Sequence, residues 1–125
     1  MKITLADSEN RNALGGELLT QFDQALDSAN ADPAIRAVVV TNEGNTFCAG
    51  ANLKERAGAT APSRPSISFD ALLEKIQTSP TPVIGQIDGH VVGGGNGLAA
   101  AFDISVARED VKFGFTEVRL GVVPA

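Results

Sequence analysis

The sequence predicts an α/β fold, and three observations carry that prediction. A helix-like segment followed by a strand-like run and a loop occurs twice, over residues 16–56 and again over 68–107. The two strand-like runs, 37–41 and 83–87, are short, β-branched and largely apolar, as expected of strands buried in a parallel sheet. Between the second run and an alanine-rich segment stand three consecutive glycines, Gly93, Gly94 and Gly95. Such a junction leaves backbone N–H groups bare where a helix begins, a place that suits an anion.

Taken in order, residues 3–5 read as the end of a strand and 7–12 as a polar turn. Leu18, Leu19, Phe22, Ala25, Leu26 and Ala29 recur at spacings of three and four, which predicts a helix with one buried face that stops before Pro33. The strand over 37–41 follows, and Asn42-Glu43-Gly44-Asn45 turns the chain out of it. Residues 57–66, small and proline-bearing, predict a mobile loop within the domain. Phe69, Leu72, Leu73 and Ile76 restore helical spacing, and Pro80 and Pro82 stop that helix before the strand over 83–87. A short helix is expected over 98–102, then strand-like segments at 104–107 and 112–115 around a turn at 108–110.

Composition narrows the function. The 125 residues are 43% hydrophobic and 20% charged, ordinary for one soluble domain or part of one. No apolar run approaches a membrane span and the N-terminus is no signal peptide, so a cytoplasmic protein with no membrane partner is expected. A net charge of −5 without a basic stripe argues against nucleic acid as a partner. One cysteine, Cys48, and one histidine, His90, provide neither a disulfide framework nor a Cys/His metal cluster, so no metal is expected.

Three stretches are candidates for chemistry. Phe47-Cys48-Ala49-Gly50-Ala51-Asn52-Leu53-Lys54-Glu55 combines small residues, which let backbone approach a ligand, with a following helical turn that aims N–H groups at it. A tight small-residue turn is the plain alternative. The glycine run is the second. Glu117 is the third: flanked by apolar residues, it suits proton transfer, whereas a surface charge paired with Arg119 is the competing reading. His90 is expected as a structural hydrogen-bonder in a turn, and Cys48 as a small buried residue rather than a nucleophile.

The conjunction of motifs resembles the crotonase superfamily, also called the enoyl-CoA hydratase/isomerase family. Asn10-Arg11-Asn12-Ala13-Leu14 is similar to its R-N-A-L segment, Ala49-Gly50-Ala51-Asn52-Leu53 to its A-G-A-D-[IL] loop, and residues 88–95 to its N-G-x-x-x-G-G-G turn. Residues 101–107 resemble its C-D-[IL]-x-x-A strand, and 113–121 its F-x-x-[PT]-E-x-x-x-G segment. The resemblance implies a crotonase-like spiral of repeated strand-strand-helix units acting on acyl-CoA thioesters, with coenzyme A as part of the substrate and no separate cofactor. It assigns the oxyanion hole to the backbone N–H groups of Ala51 and Gly94 and the general acid/base to Glu117. Coenzyme A recognition maps onto Arg11, Ala13, Ala49, Asn52 and Leu53, and a homotrimer or dimer of trimers is the implied assembly.

Two departures matter. Asn52 stands where the family usually has Asp, and Gly97 where typical hydratases place a first catalytic Glu. With Glu117 alone, hydration of a 2-enoyl-CoA is the first expectation and double-bond isomerisation the alternative. Gly95-Asn96-Gly97-Leu98-Ala99-Ala100 also fits a dinucleotide-binding G-x-G-x-x-A, but residues 88–93 separate it from its strand, and residues 49–53 stay unexplained. The resemblance spans about the N-terminal half of a crotonase domain, so a fragment is expected, and a truncated paralogue or interaction module is the non-enzymatic alternative.

Overall fold

The computed structural model describes residues 1–58, 65–121 and 123. Seven strands and four helices alternate along them: β1 (Lys2–Leu5), α1 (Gly16–Ala31), β2 (Val38–Asn42), β3 (Thr46–Cys48), α2 (Leu53–Arg56), α3 (Phe69–Gln77), β4 (Val83–Ile87), β5 (His90–Val92), α4 (Gly94–Ala101), β6 (Ile104–Ala107) and β7 (Phe113–Gly114). Among the described residues, no helix is long and apolar enough to cross a membrane.

The strands form two parallel sheets, one ordered β1-β2-β4-β6 and the other β3-β5-β7. Each consecutive pair, β2 with β3, β4 with β5 and β6 with β7, gives one strand to each sheet before the chain returns through a helix or loop. That repeat is the expected strand-strand-helix spiral. In the larger sheet Val38 lies opposite Val83, and Ile84 opposite Ile104.

The helices form where the apolar spacing places them. In α1, Leu19, Phe22, Leu26 and Ala29 are buried at intervals of three and four, and the helix ends at Ala31, ahead of Pro33. In α3, Leu72 and Ile76 are buried on one face, and Ser68 caps the first turn by accepting from the Ala71 N–H. One face of the larger sheet's centre is fully covered, with Val38, Val40, Val83 and Ile87 buried, while Val39 and Ile84 on the other face are half-buried. Where the sheets meet, the Phe47 and Phe102 rings pack edge to face at 6.2 Å.

Several sequence expectations shift. The polar segment 7–12 holds one 3-10 turn, Ser8–Asn10, and Arg11 and Asn12 follow with φ of 55° and 52°. Two strands of the smaller sheet were not read from the local sequence: residues after the turn at 42–45 form β3, and His90, expected in a turn, opens β5. The last helix starts at Gly94 rather than at 98, because a glycine run with poor helix propensity is overruled by packing. A Cβ at Gly95 would come within 2.7 Å of the Cys48 carbonyl oxygen, so only glycine lets α4 lie this close to β3. The expected strand at 112–115 contracts to Phe113–Gly114. Of the loop expected over 57–66, residues 59–64 lie outside the described residues, and Ser66 is tied to α1 through Thr20 and Asp23.

Candidate active site

The loop between β3 and α2 and the loop entering α4 lie against each other. Gly50 has φ +79°, and a Cβ there would be 3.0 Å from both the Gly94 nitrogen and the Val92 oxygen. Any larger residue would push the loops apart. Gly50 O accepts from the Leu14 N–H at 2.7 Å, and Leu14 pairs with Ala51 in an isolated parallel bridge. Among the described residues, neither the Ala51 nor the Gly94 N–H donates to a protein acceptor. The two expected donors thus sit on abutting loops.

These loops border a cavity of about 390 Å³. Ala51, Gly94 and Glu117 all line it, as do Ala49, Asn52 and Leu53. Arg11 and Ala13 do not: Arg11 is an exposed residue whose carbonyl accepts from the Ala49 N–H at 3.1 Å, and Ala13 is buried. Leu14, Leu19, Phe69 and Val92 give the cavity its apolar wall.

Glu117 begins a 3-10 turn, Glu117–Leu120, just after β7. Its Oε2 is buried without a hydrogen-bond partner, and its Oε1 lies 2.8 Å from where a Cβ on Gly93 would be. Among the described residues it makes no ion pair with Arg119. A buried acceptor with no hydrogen-bond partner, lining the same cavity as the two N–H groups, can take or give a proton.

The Gly97 position faces apolar carbon. A Cβ there would meet Leu73 Cδ1 at 3.6 Å and the Phe69 ring at 3.7 and 3.8 Å, all ordinary contacts. Gly95 and Gly97 are interior to α4, which follows strand β5 and not the strand 83–87 directly, so the dinucleotide-type turn is not formed.

The remaining candidates have structural duties. Burial pushes the Cys48 thiol up to about 11, so it stays protonated at neutral pH. The His90 Nδ1 accepts from the Lys112 N–H at 3.1 Å and so anchors the approach to β7. Asn12, fully buried, donates from Nδ2 to the carbonyls of Glu43 and Thr46 at 3.3 and 2.8 Å, bracing the β2–β3 turn. Two participants escape motif reading: Asn96, whose Nδ2 joins the carbonyls of Gly93 and Gly114 at 2.9 Å each, and Glu55. For Glu55 the signal was present, since Asn52 followed three residues later by Glu is the capping-box pattern, although its carboxylate accepts from the Asn52 side chain and the Gly16 N–H instead of the Asn52 backbone.

The family model described as enoyl-CoA hydratase/isomerase matches residues 1–125. A Thermus thermophilus protein is 42% identical over 98% of this chain, and methylglutaconyl-CoA hydratase of Homo sapiens is 37% identical over 91%. Among solved structures, an enoyl-CoA hydratase from Mycobacterium avium superimposes with a TM-score of 0.83 at 44% identity over 99% of this chain and 48% of that one. An enoyl-CoA hydratase from Bacillus anthracis gives 0.84 at 32%, over 98% and 49%. The chain spans about half the length of the first curated relatives it matches. The paired parallel sheets, the abutting glycine loops and these likenesses agree, and the chain belongs to the enoyl-CoA hydratase/isomerase family, with the crotonase fold.

Proposed function

We propose that this chain carries the thioester-activating part of an enoyl-CoA hydratase. The thioester carbonyl of a 2-enoyl-CoA accepts from the Ala51 and Gly94 N–H groups, and conjugate addition of water at C3 generates an enolate whose oxygen those donors stabilise. Preorganised donors of this kind are worth about 3–4 kcal/mol each. Glu117 takes the proton from the attacking water and delivers one to C2, closing the balance of water added across the double bond. Coenzyme A is part of the substrate; Ala49, Asn52 and Leu53 border its approach, with Arg11 and Ala13 behind them. The observation that carries the reading is the meeting of two close-packed glycine loops and an unpartnered buried Glu117 oxygen at one cavity.

A second reading, isomerisation between 3-enoyl- and 2-enoyl-CoA, draws on Gly97. The side chains nearest that position are Phe69 and Leu73, and Glu55, the other carboxylate bordering the cavity, has both oxygens engaged. One carboxylate is sufficient to carry a proton from C2 to C4 without water. Incubating the whole protein with 2-enoyl- and 3-enoyl-CoA substrates separates the two. The 3-hydroxyacyl-CoA is expected from the 2-enoyl substrate; double-bond migration with no water added would replace hydration by isomerisation.

A further inference from the structure

Thr20, Asp23 and Asp27 follow Gly16 along one side of α1, at spacings of four, three and four. Gly16 and Leu19 of this helix line the cavity; Thr20 and Asp23 do not. What Thr20 and Asp23 hold is Ser66. The Ser66 N–H donates to Thr20 Oγ1 at 3.0 Å, and the Ser66 hydroxyl donates to Asp23 Oδ2 at 3.0 Å. Thr20 Oγ1 gives its own proton to the Gly16 carbonyl at 2.8 Å, which leaves the oxygen a lone pair for Ser66. Asp23 is held ionised by Lys75, from the last turn of α3, so it serves only as an acceptor. Backbone and side chain of one residue are thus both fastened to α1.

Ser66 stands between two members of the cavity wall. Pro65 precedes it, and Phe69, the first residue of α3, follows three positions later; both line the cavity. The Phe69 Cε1 lies 3.5 Å from where a Cβ on Gly94 would be, close to one of the two proposed donors. Lys75 ties the last turn of α3 to Asp23 and Asp27, and Ser66 ties its entry. We propose that Thr20 and Asp23 are positioning residues: through Ser66 they seat Pro65 and Phe69 as the wall against which the acyl group of the thioester packs. The inference rests on the reading of this cavity as an acyl-CoA site. Without the fastening, the wall occupies its binding position for a smaller share of the time, and affinity for the acyl group falls by that share. Recognition of the coenzyme A portion, assigned to residues 49–53, is left as it was.

The test measures binding to the whole protein by calorimetry with two probes: coenzyme A, and octanoyl-CoA, a saturated thioester that carries an acyl chain but can be neither hydrated nor isomerised. The ratio of the two dissociation constants reports the acyl contacts alone. Ser66→Ala and Thr20→Val are each expected to lower the preference for octanoyl-CoA about 5-fold, the size of one lost hydrogen bond, with the coenzyme A constant moving less than about 2-fold. Ser66→Thr keeps the hydroxyl and is expected to keep the preference. Ser66→Ala combined with Asp23→Ala is expected to be no worse than Asp23→Ala alone, because both changes remove the same contact. A merely structural role predicts a lower melting temperature and an unchanged ratio. That result in Ser66→Ala, a truncation at an exposed position, would overturn the proposal, as would an equal loss in Ser66→Thr. If Thr20→Val fails to fold, the two Ser66 variants decide. A wild-type protein that binds octanoyl-CoA no more tightly than coenzyme A counts against the acyl-CoA reading and takes the wall with it; a wild-type preference that survives in Ser66→Ala removes the fastening alone.

Discussion

At the scale of single residues, Gly93 and Gly97 look alike in sequence and differ in what surrounds them. Gly93 has φ +55°, and its missing Cβ would displace the Glu117 carboxylate. Gly93→Ala is therefore expected to lower kcat at least 10-fold and to destabilise the fold by about 1–3 kcal/mol. Gly97 is helical, with only ordinary contacts waiting for a Cβ. Gly97→Ala is expected to raise stability by about 0.5–1 kcal/mol in a denaturant titration. If both changes proved equally harmful, the environment assigned to one of them would be wrong.

At the scale of elements, α1 and α3 are joined by Lys75, which reaches both Asp23 and Asp27 of α1. The Lys75 hydrogen bond, helped by Ser66 and opposed by burial, holds the Asp23 carboxyl below its usual range. A depressed carboxylate adds stability above the unfolded-state value near 3.9, and that stability is lost as pH falls through the lower folded value. Lys75→Met is expected to remove about 1 kcal/mol at neutral pH and to flatten the acid limb of a stability–pH curve. An unchanged acid limb would place the proton linkage elsewhere. Elements with enough residues to show a period were legible in advance: α1 and α3 by their stripes, β2 and β4 by their apolar runs. Strands β3 and β5 have three residues each and exist through pairing with distant partners, such as Thr46 with His90 and Val91 with Phe113, so local pattern has nothing to show; β7 was visible only as the apolar segment around Phe113. Ala51, Gly94 and Glu117 became legible only as motifs in order. Glu55 and Asn96 act across elements, so their partners needed coordinates.

At the scale of the whole molecule, the face carrying β6 and β7 is apolar and open. Ile104, Val106, Phe113, Phe115 and Val118 are each more than half exposed, Val118 at 76%. Exposed apolar side chains grouped in this way favour association. The 125-residue chain on its own is expected to self-associate in light scattering, to bind hydrophobic dyes, and to turn over crotonyl-CoA weakly if at all; a soluble monomer with ordinary enzymatic rates would contradict this. The central claim is that two glycine loops and one carboxylate, brought together by the sheet-to-sheet spiral, form a single thioester site. Its most direct test is Glu117→Gln in the whole protein. With the N–H donors intact and only the proton carrier lost, kcat is expected to fall at least 100-fold while acyl-CoA affinity stays nearly unchanged. Full activity in that variant would contradict the account and move the proton chemistry to another residue.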